Sequence, residues 1–412
     1  MEDIGGTIVT VDIGTSSVTI IISKINKFNK LDVVYVDTKP IEQLKKGEIE
    51  EPYKIAEVIK TMFKDIEEKC GMVVKSAYVN IPNKYVKIEE TIAQIPIASK
   101  IKTVEQYDIN KLFNVIKDME VQNDLKVIDI FPTEYYNDAD QVIESPIHVN
   151  TTKLKLKAQV VLGYKPYLEK LEAIMQYSKV KLDGVILQSY STAKLALDQT
   201  QMQEGTLLID IGGSTTDISV YYKNTLIYID SLDVGGYNVT SDLSIVLDIG
   251  IEEAEKLKKQ YALCLRQYIQ NNIDVNVLDN TKQMQTIKTS NIVDIIQARC
   301  EETLEIINEK LEEIEIKDYI TNVVIIGQGF GTLNKVELLC EQKLGRPTSI
   351  YNLNQAQSIK PINTTAYSMQ EYVLGNNKNI NNQLSVVEES QEVKRPEVFS
   401  KIFERLRDFL YT

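Results

Sequence analysis

Apolar residues along this chain gather in short runs broken by polar, glycine-containing turns, and two of those runs organise everything else. Ile8-Val9-Thr10-Val11 leads into Asp12-Ile13-Gly14-Thr15-Ser16-Ser17, and Val18-Thr19-Ile20-Ile21-Ile22 follows. Runs rich in β-branched residues on both sides predict that the turn joins two strands. Thr206-Leu207-Leu208-Ile209 then leads into Asp210-Ile211-Gly212-Gly213-Ser214-Thr215-Thr216-Asp217 and out through Ile218-Ser219-Val220-Tyr221-Tyr222. The same unit recurs once, about half a chain away. Solenoid repeats return every ~20–50 residues, so this spacing predicts two similar domains instead.

Helical spacing predicts helices at 55–69 and 167–178, with a mixed segment over 78–163. Val185-Ile186-Leu187 reads as a buried strand entering a helix at 191–197. Further helices are expected at 241–246, 251–261 and 293–314, before the buried strand Val323-Val324-Ile325-Ile326 ends in Gly327-Gln328-Gly329-Phe330-Gly331. From 375 to 393 the chain turns to Asn, Gln, Ser and Glu, which reads as a linker after a globular part ending near Leu374.

Helical periodicity returns at 396–411. Pro396 suits a first turn; Val398, Phe399, Ile402, Phe403, Leu406, Phe409 and Leu410 line one face, and Lys401, Arg405 and Arg407 the other. A short, aromatic-rich, basic helix on a polar tether suits the interface of an anionic bilayer. The alternative is a helix folded back on the core or paired in a coiled coil; the position after a linker favours the membrane.

With 412 residues, two or more domains are expected. The net charge of −13 argues against nucleic acid as a partner. Cys70, Cys264, Cys300 and Cys340 are widely spaced and His148 is the only histidine, so neither a zinc site nor a disulfide framework is suggested. The acidic start, Met1-Glu2-Asp3, lacks the features of a signal peptide, and no run of about 18 apolar residues occurs. A reducing cytoplasm and no membrane span are expected.

Tight turns rich in Gly, Ser and Thr let backbone N–H groups converge on phosphate oxygens. Thr15, Ser16, Ser214 and Thr215 can add hydroxyl donors. Asp12 and Asp210 open the two turns at strand ends and could hold a hydrated Mg²⁺, which commonly uses one or two carboxylates. Asp217 ranks below them as a turn cap. A single Asp-x-Gly is as easily an ordinary turn; two copies in one context favour the phosphate clamp. No P-loop motif occurs.

At these residues the chain resembles the actin, sugar-kinase and heat-shock-chaperone ATPases, whose first and second phosphate motifs the two turns match. The resemblance implies ATP held with Mg²⁺ between two α/β domains (ribonuclease-H-like, with mixed five-stranded sheets). Gly327-Gln328-Gly329-Phe330 stands in the order of their adenosine motif. Ser231-Leu232-Asp233-Val234-Gly235-Gly236-Tyr237-Asn238-Val239-Thr240-Ser241-Asp242 and Ile251-Glu252-Glu253-Ala254-Glu255-Lys256-Leu257-Lys258 resemble the FtsA family in particular. By that resemblance Gly235 and Gly236 are cofactor-binding, and Glu255 and Lys258 approach the ribose and adenine; by themselves Glu255 and Lys258 read as a surface pair. Phe131-Pro132-Thr133-Glu134-Tyr135-Tyr136 and Ala77-Tyr78-Val79-Asn80-Ile81-Pro82 resemble the inserted subdomain of that family and its gateway.

Gln188 occupies the place where relatives carry Glu or Gln before Pro, with Ser189 replacing the proline. It could orient an attacking water or cap the following helix. His148 reads as structural. The domain plan is a first actin-like domain over 1–84, 164–204 and 359–375, an insert at 85–163, a second domain at 205–358, a linker at 376–395 and a membrane-targeting helix at 396–412. The resemblance implies a polymerising, ATP-binding protein with at most slow hydrolysis. It would bind the FtsZ C-terminal tail, other division proteins and copies of itself, peripherally on the cytoplasmic face of the membrane at the division site. A pilus-assembly adaptor and a small-molecule kinase of the same superfold are the alternatives.

Overall fold

The structure, a computed structural model, describes residues 6–41, 44–98, 101–353, 363–376 and 384–389. Two five-stranded sheets carry the chain. The first runs Lys181–Leu187, Ser76–Ile81, Thr7–Ile13, Ser17–Ile25, Leu31–Pro40, and the second runs Thr348–Ile350, Asn322–Ile326, Thr206–Ile211, Thr216–Tyr222, Thr225–Leu232. In each, the first three strands are mutually parallel and the last three antiparallel. The sequence repeat is thus a repeat of topology, and the fold is the duplicated actin-like α/β architecture.

The central strands read as unbroken apolar runs because both faces are covered. Ile20 and Ile22 share a core with Ile59, Met62 and Ile66 of the helix Pro52–Cys70, while Ile21 packs with Ala366 and Tyr367 of the helix Thr364–Asn376. Alternate residues of a strand face opposite sides, which accounts for the division. Pro52 opens its helix and Gly71 closes it at φ 67, a left-handed position that suits glycine. Several helices begin earlier than the spacing predicts, among them Gln188–Ala196, Gly236–Val246 and Thr289–Glu313, because their first turns are polar or glycine-rich.

The insert is a separate small layer. Val86–Pro96, Lys153–Tyr164, Leu125–Tyr136 and Val142–Ile143 pair in that order, and Gln106–Lys117 buries Leu112, Phe113 and Ile116 against them. Phe131 stacks on Tyr190 with ring centroids 3.5 Å apart, and Tyr372 meets Tyr190 edge-on, so the insert rests on two first-domain helices.

Thr364–Asn376 returns the chain to the first domain, where the buried Gln370 Nε2 donates to Thr10 Oγ1 and to the Ile21 carbonyl, both at 2.9 Å. The expected end of the globular part near Leu374, and the linker over 376–395, are corrected at 384–389. Ser385 bridges Thr7 and its buried Oγ accepts from Val9 N at 3.0 Å, and Val387–Glu389 pairs antiparallel with Met72–Val74. The apolar run Leu384-Ser385-Val386-Val387 is long enough for an edge strand, and the polar residues around it hide that in composition. The helix expected at 396–412, with Phe399, Lys401, Ile402, Phe403, Arg405, Leu406, Phe409 and Leu410, lies outside the described residues. Among the described residues no helix is long and apolar enough to cross a membrane.

Candidate functional site

Both aspartate turns sit at corresponding ends of the two sheets and touch. Gly14 N donates to the Ser17 carbonyl at 2.9 Å and Gly212 N to the Thr215 carbonyl at 2.9 Å, so each closes the same way. Ser214 N donates to Thr15 Oγ1 across the gap at 3.0 Å. A Cβ on Gly213 would lie 3.0 Å from Thr15 Oγ1 and 3.2 Å from Ser16 Oγ. Gly14, Thr15, Ser16, Gly212, Gly213, Ser214 and Thr215 therefore form one facing pair of polar turns.

Behind the turns lie three buried carboxylates. Burial, and then the negative charge of Asp210, push the Asp12 carboxyl up to about 7. Asp210 is also raised by burial, against hydrogen bonds from Gln188 Nε2 at 2.8 Å and Thr365 Oγ1 at 3.4 Å that favour its charge. Asp12 has a longer donor, Asn363 Nδ2 at 3.4 Å. Asp217 is pushed up to about 7 mainly by burial; its Oδ2 accepts from Asn83 N at 3.4 Å. Acids that repel one another in a dry site are stabilised by a cation between them.

Gln188 faces Asp210. Its Oε1 accepts from Asn80 Nδ2 at 3.2 Å while its Nε2 reaches Asp210, and Asn80 Oδ1 in turn accepts from Ile13 N at 2.8 Å. A continuous chain of hydrogen bonds thus crosses from the first turn to the second. The Gln188 side chain spans the domains, and only its carbonyl serves the helix, accepting from Ser191 and Thr192. Ser189, in the place of the expected proline, donates to Asn83 Oδ1 at 2.5 Å.

The remaining glycines crowd the second turn. A Cβ on Gly235 would meet the Gly213 carbonyl at 2.7 Å, one on Gly236 the Gly329 Cα at 2.7 Å, and one on Gly329 the Gly212 carbonyl at 2.5 Å. Gly327 adopts φ +86 with the Ile211 carbonyl 2.4 Å from where a Cβ would stand. Only backbone without side chains can approach this closely. Glu255 and Lys258 join the nest from below: Lys258 Nζ donates to the Gly236 carbonyl at 3.1 Å and pairs with Glu255 at 2.7 Å, and Thr240 Oγ1 donates to Glu255 at 2.5 Å. Burial opposes the charge of Glu255, but these partners outweigh it and hold its carboxyl below the usual range.

Phe330 turns away from the acids. Expected among the cofactor-binding residues, it has its side chain fully buried in the second-domain core. The large apolar ring gains more from the core than from a cleft lined by carboxylates. Asn80, Asn83, Asn363 and Thr365 were not foreseen. Asn80 carried a signal, a polar residue within the apolar strand Ser76–Ile81; Asn363 and Thr365 reach the acids only through the chain's return.

The arrangement fits a nucleotide with a divalent cation. Asp12 and Asp210 could supply hard oxygen ligands, the turns offer N–H and hydroxyl donors, and the nest forms a cradle that a Cβ would fill.

The family model for Cell division protein FtsA matches residues 207–369, and the model for the SHS2 domain inserted in FTSA matches 83–162. Cell division protein FtsA of Bacillus subtilis (strain 168) is 28% identical over 321 residues, 77% of this chain and 72% of the relative. That of Streptococcus pneumoniae is 26% identical over 366 residues, 88% of this chain and 79% of the relative. Among solved structures, a PilM-PilN type IV pilus biogenesis complex aligns at TM-score 0.59 with 13% identity, over 89% of this chain and 98% of its own. MreB 5 of Spiroplasma citri bound to AMPPNP aligns at 0.56 with 14% identity, over 92% and 98%. At these identities the structural likeness speaks to the fold.

Proposed function

Because the chain belongs to the FtsA family of cell division proteins, we propose that it is an ATP-binding, polymerising actin homologue that links the FtsZ C-terminal tail to the cytoplasmic face of the membrane at the division site. The observation that carries the ATP assignment is the contact of the two turns, with Ser214 N on Thr15 Oγ1 and Gln188 bridging Asn80 and Asp210. Asp12 and Asp210 would hold Mg²⁺, the turn residues the phosphates, and Gly235, Gly236, Glu255, Lys258, Gly327 and Gly329 the nucleoside side. Bound Mg·ATP supplies the negative charge and the cation that the facing donors and the repelling acids lack.

Gln188 is the group placed to orient a water. Both ends of its amide are already engaged by Asn80 and Asp210, which favours slow hydrolysis at most. ATP then serves as a latch: both domains grip it, and the closed form is the one that assembles with copies of itself.

The second domain carries an apolar patch suited to a peptide tail. Ile245 and Val246 are 74% and 64% exposed at the end of Gly236–Val246, and Leu278 and Met284 are exposed on the neighbouring hairpin, held there by Gln285 Nε2 on the Leu247 carbonyl at 2.7 Å. This supports docking of the FtsZ tail near 241–258, with the insert left for neighbouring subunits or other division proteins. The sequence of 396–412 supports the membrane contact. Sedimentation of the full chain with anionic vesicles and FtsZ tail peptide tests the reading. Mg·ATP should increase pelleting and recruit the peptide; pelleting indifferent to nucleotide, or transfer of phosphate to a small molecule instead, would count against it.

A further inference from the structure

The segment 384–389, which ends in the strand Val387–Glu389, fixes where the residues after Glu389 start. It crosses under the first sheet, from Thr7 past Ser76 to Met72–Val74: Val386 N donates to Ser76 Oγ at 2.8 Å, Lys75 N to the Val386 carbonyl at 2.7 Å, and Lys75 Nζ pairs with Glu388 at 3.2 Å. This end is opposite the nucleotide turns, since Thr7 and Asp12 stand at the two ends of one strand. Residues 390–395 then span about 20 Å at full extension before the amphipathic pattern begins.

The same end of the sheet carries the hairpin between Ser17–Ile25 and Leu31–Pro40. Thr7 pairs with both Lys24 and Ser385, and Ile25 N donates to the Gly6 carbonyl at 3.0 Å, which fixes the hairpin beside the strap. At its tip Phe28 is 66% exposed with Lys27 Nζ over its ring at 5.0 Å, and Lys24 and Lys30 are exposed around it. Lys179 and Lys181 are exposed where Lys181–Leu187 begins, one strand beyond Ser76. Among the described acids near the hairpin, Asp32 stands across from Lys24 and accepts from Asn26, Asp183 lies near Lys181, and Glu388 pairs with Lys75. In a chain of net charge −13, the tip 26–30 holds Lys27 and Lys30 around Phe28 and no acid.

We propose that this end of the first domain is itself a lipid-contact surface, with the 26–30 hairpin inserting Phe28 among anionic headgroups once 396–412 has bound. The proposal rests on the membrane reading above. The short reach from Glu389 keeps the surface at the bilayer, and aromatic and basic residues together favour its interface.

The chain contains no tryptophan, so Phe28→Trp in the full chain gives a single reporter. With phosphatidylglycerol-containing vesicles the chain should pellet and the introduced indole should shift blue and be quenched by brominated lipid. Tyr107→Trp, at an exposed position of the insert, should pellet without either change. Pelleting with an unshifted indole at position 28 would overturn the second surface and leave the tail reading standing. Failure of the full chain to pellet would overturn both. Lys27→Gln and Lys30→Gln should each weaken vesicle affinity about fivefold at low salt; unchanged affinity in the double variant would also overturn the proposal.

Discussion

The two aspartate turns share a frame and differ in what braces it. Behind Ile13 the brace is a side chain, Asn80 Oδ1 accepting from Ile13 N at 2.8 Å. Behind Ile211 it is backbone, Gly329 N donating to the Ile211 carbonyl at 2.8 Å. Both braces come from the strand running parallel to the one that carries the aspartate, or from the loop at its end. The side-chain brace leaves the Asn80 amide available to hold Gln188; the backbone brace packs too tightly for any Cβ. The acids diverge as well, with Asp210 held by two donors and Asp12 by one long contact. Duplication thus preserved the outward face of each turn while the supports became an adaptable arm and a rigid nest.

The sharpest way to break this contrast is to add one methyl to each arm. Gly329→Ala should cost about 3 kcal/mol or more in denaturant unfolding, because its Cβ meets the Gly212 carbonyl at 2.5 Å. Gly14→Ala, where the nearest atom is the Ser17 carbonyl at 3.1 Å, should cost less than about 1 kcal/mol. Equal costs would remove the distinction. Asn80→Ala should lose about 1–3 kcal/mol by stranding the Ile13 N–H, and should free Gln188, seen as faster ATP turnover in a single-turnover assay.

The acids can be separated by pH. With its carboxyl raised from 3.8 to about 7, Asp12 binds a proton in the folded state that the unfolded chain has already released. Its contribution to stability without Mg²⁺ is therefore fully present below about pH 4 and is lost as pH rises to about 7. Asp12→Asn should flatten that fall by on the order of 2 kcal/mol, read as melting temperature against pH in chelator-containing buffer. A further small effect belongs to the link between the arms. Thr15→Val removes the acceptor of Ser214 N and should cost about 1 kcal/mol, with faster amide exchange at Ser214.

Both turns, the strands flanking them and the main helices were legible because strand periodicity, β-branched residues and glycine-rich turns are local signals. So was the pairing of Asp12 with Asp210, through the repeat. The braces were not. Asn80 looks like any polar residue in a strand until the halves are aligned, when it falls on the strand whose second-domain counterpart leads into Gly329. Phe330 read as part of a glycine motif, although an aromatic side chain beside a buried strand has a core to fill. Ser385 and Val387 sat in a stretch whose average polarity concealed four residues suited to an edge strand. Asn363 and Thr365 depend on long-range contacts with Asp12 and Asp210, which no local pattern encodes.

The most direct test of the latch is a structure of the full chain with Mg²⁺ and a non-hydrolysable ATP analogue. The account predicts the triphosphate between Gly14–Ser16 and Gly212–Thr215, the cation against Asp12 and Asp210, and the Ser214–Thr15 hydrogen bond exchanged for contacts to phosphate. Nucleotide bound anywhere else, with that hydrogen bond intact, would contradict it.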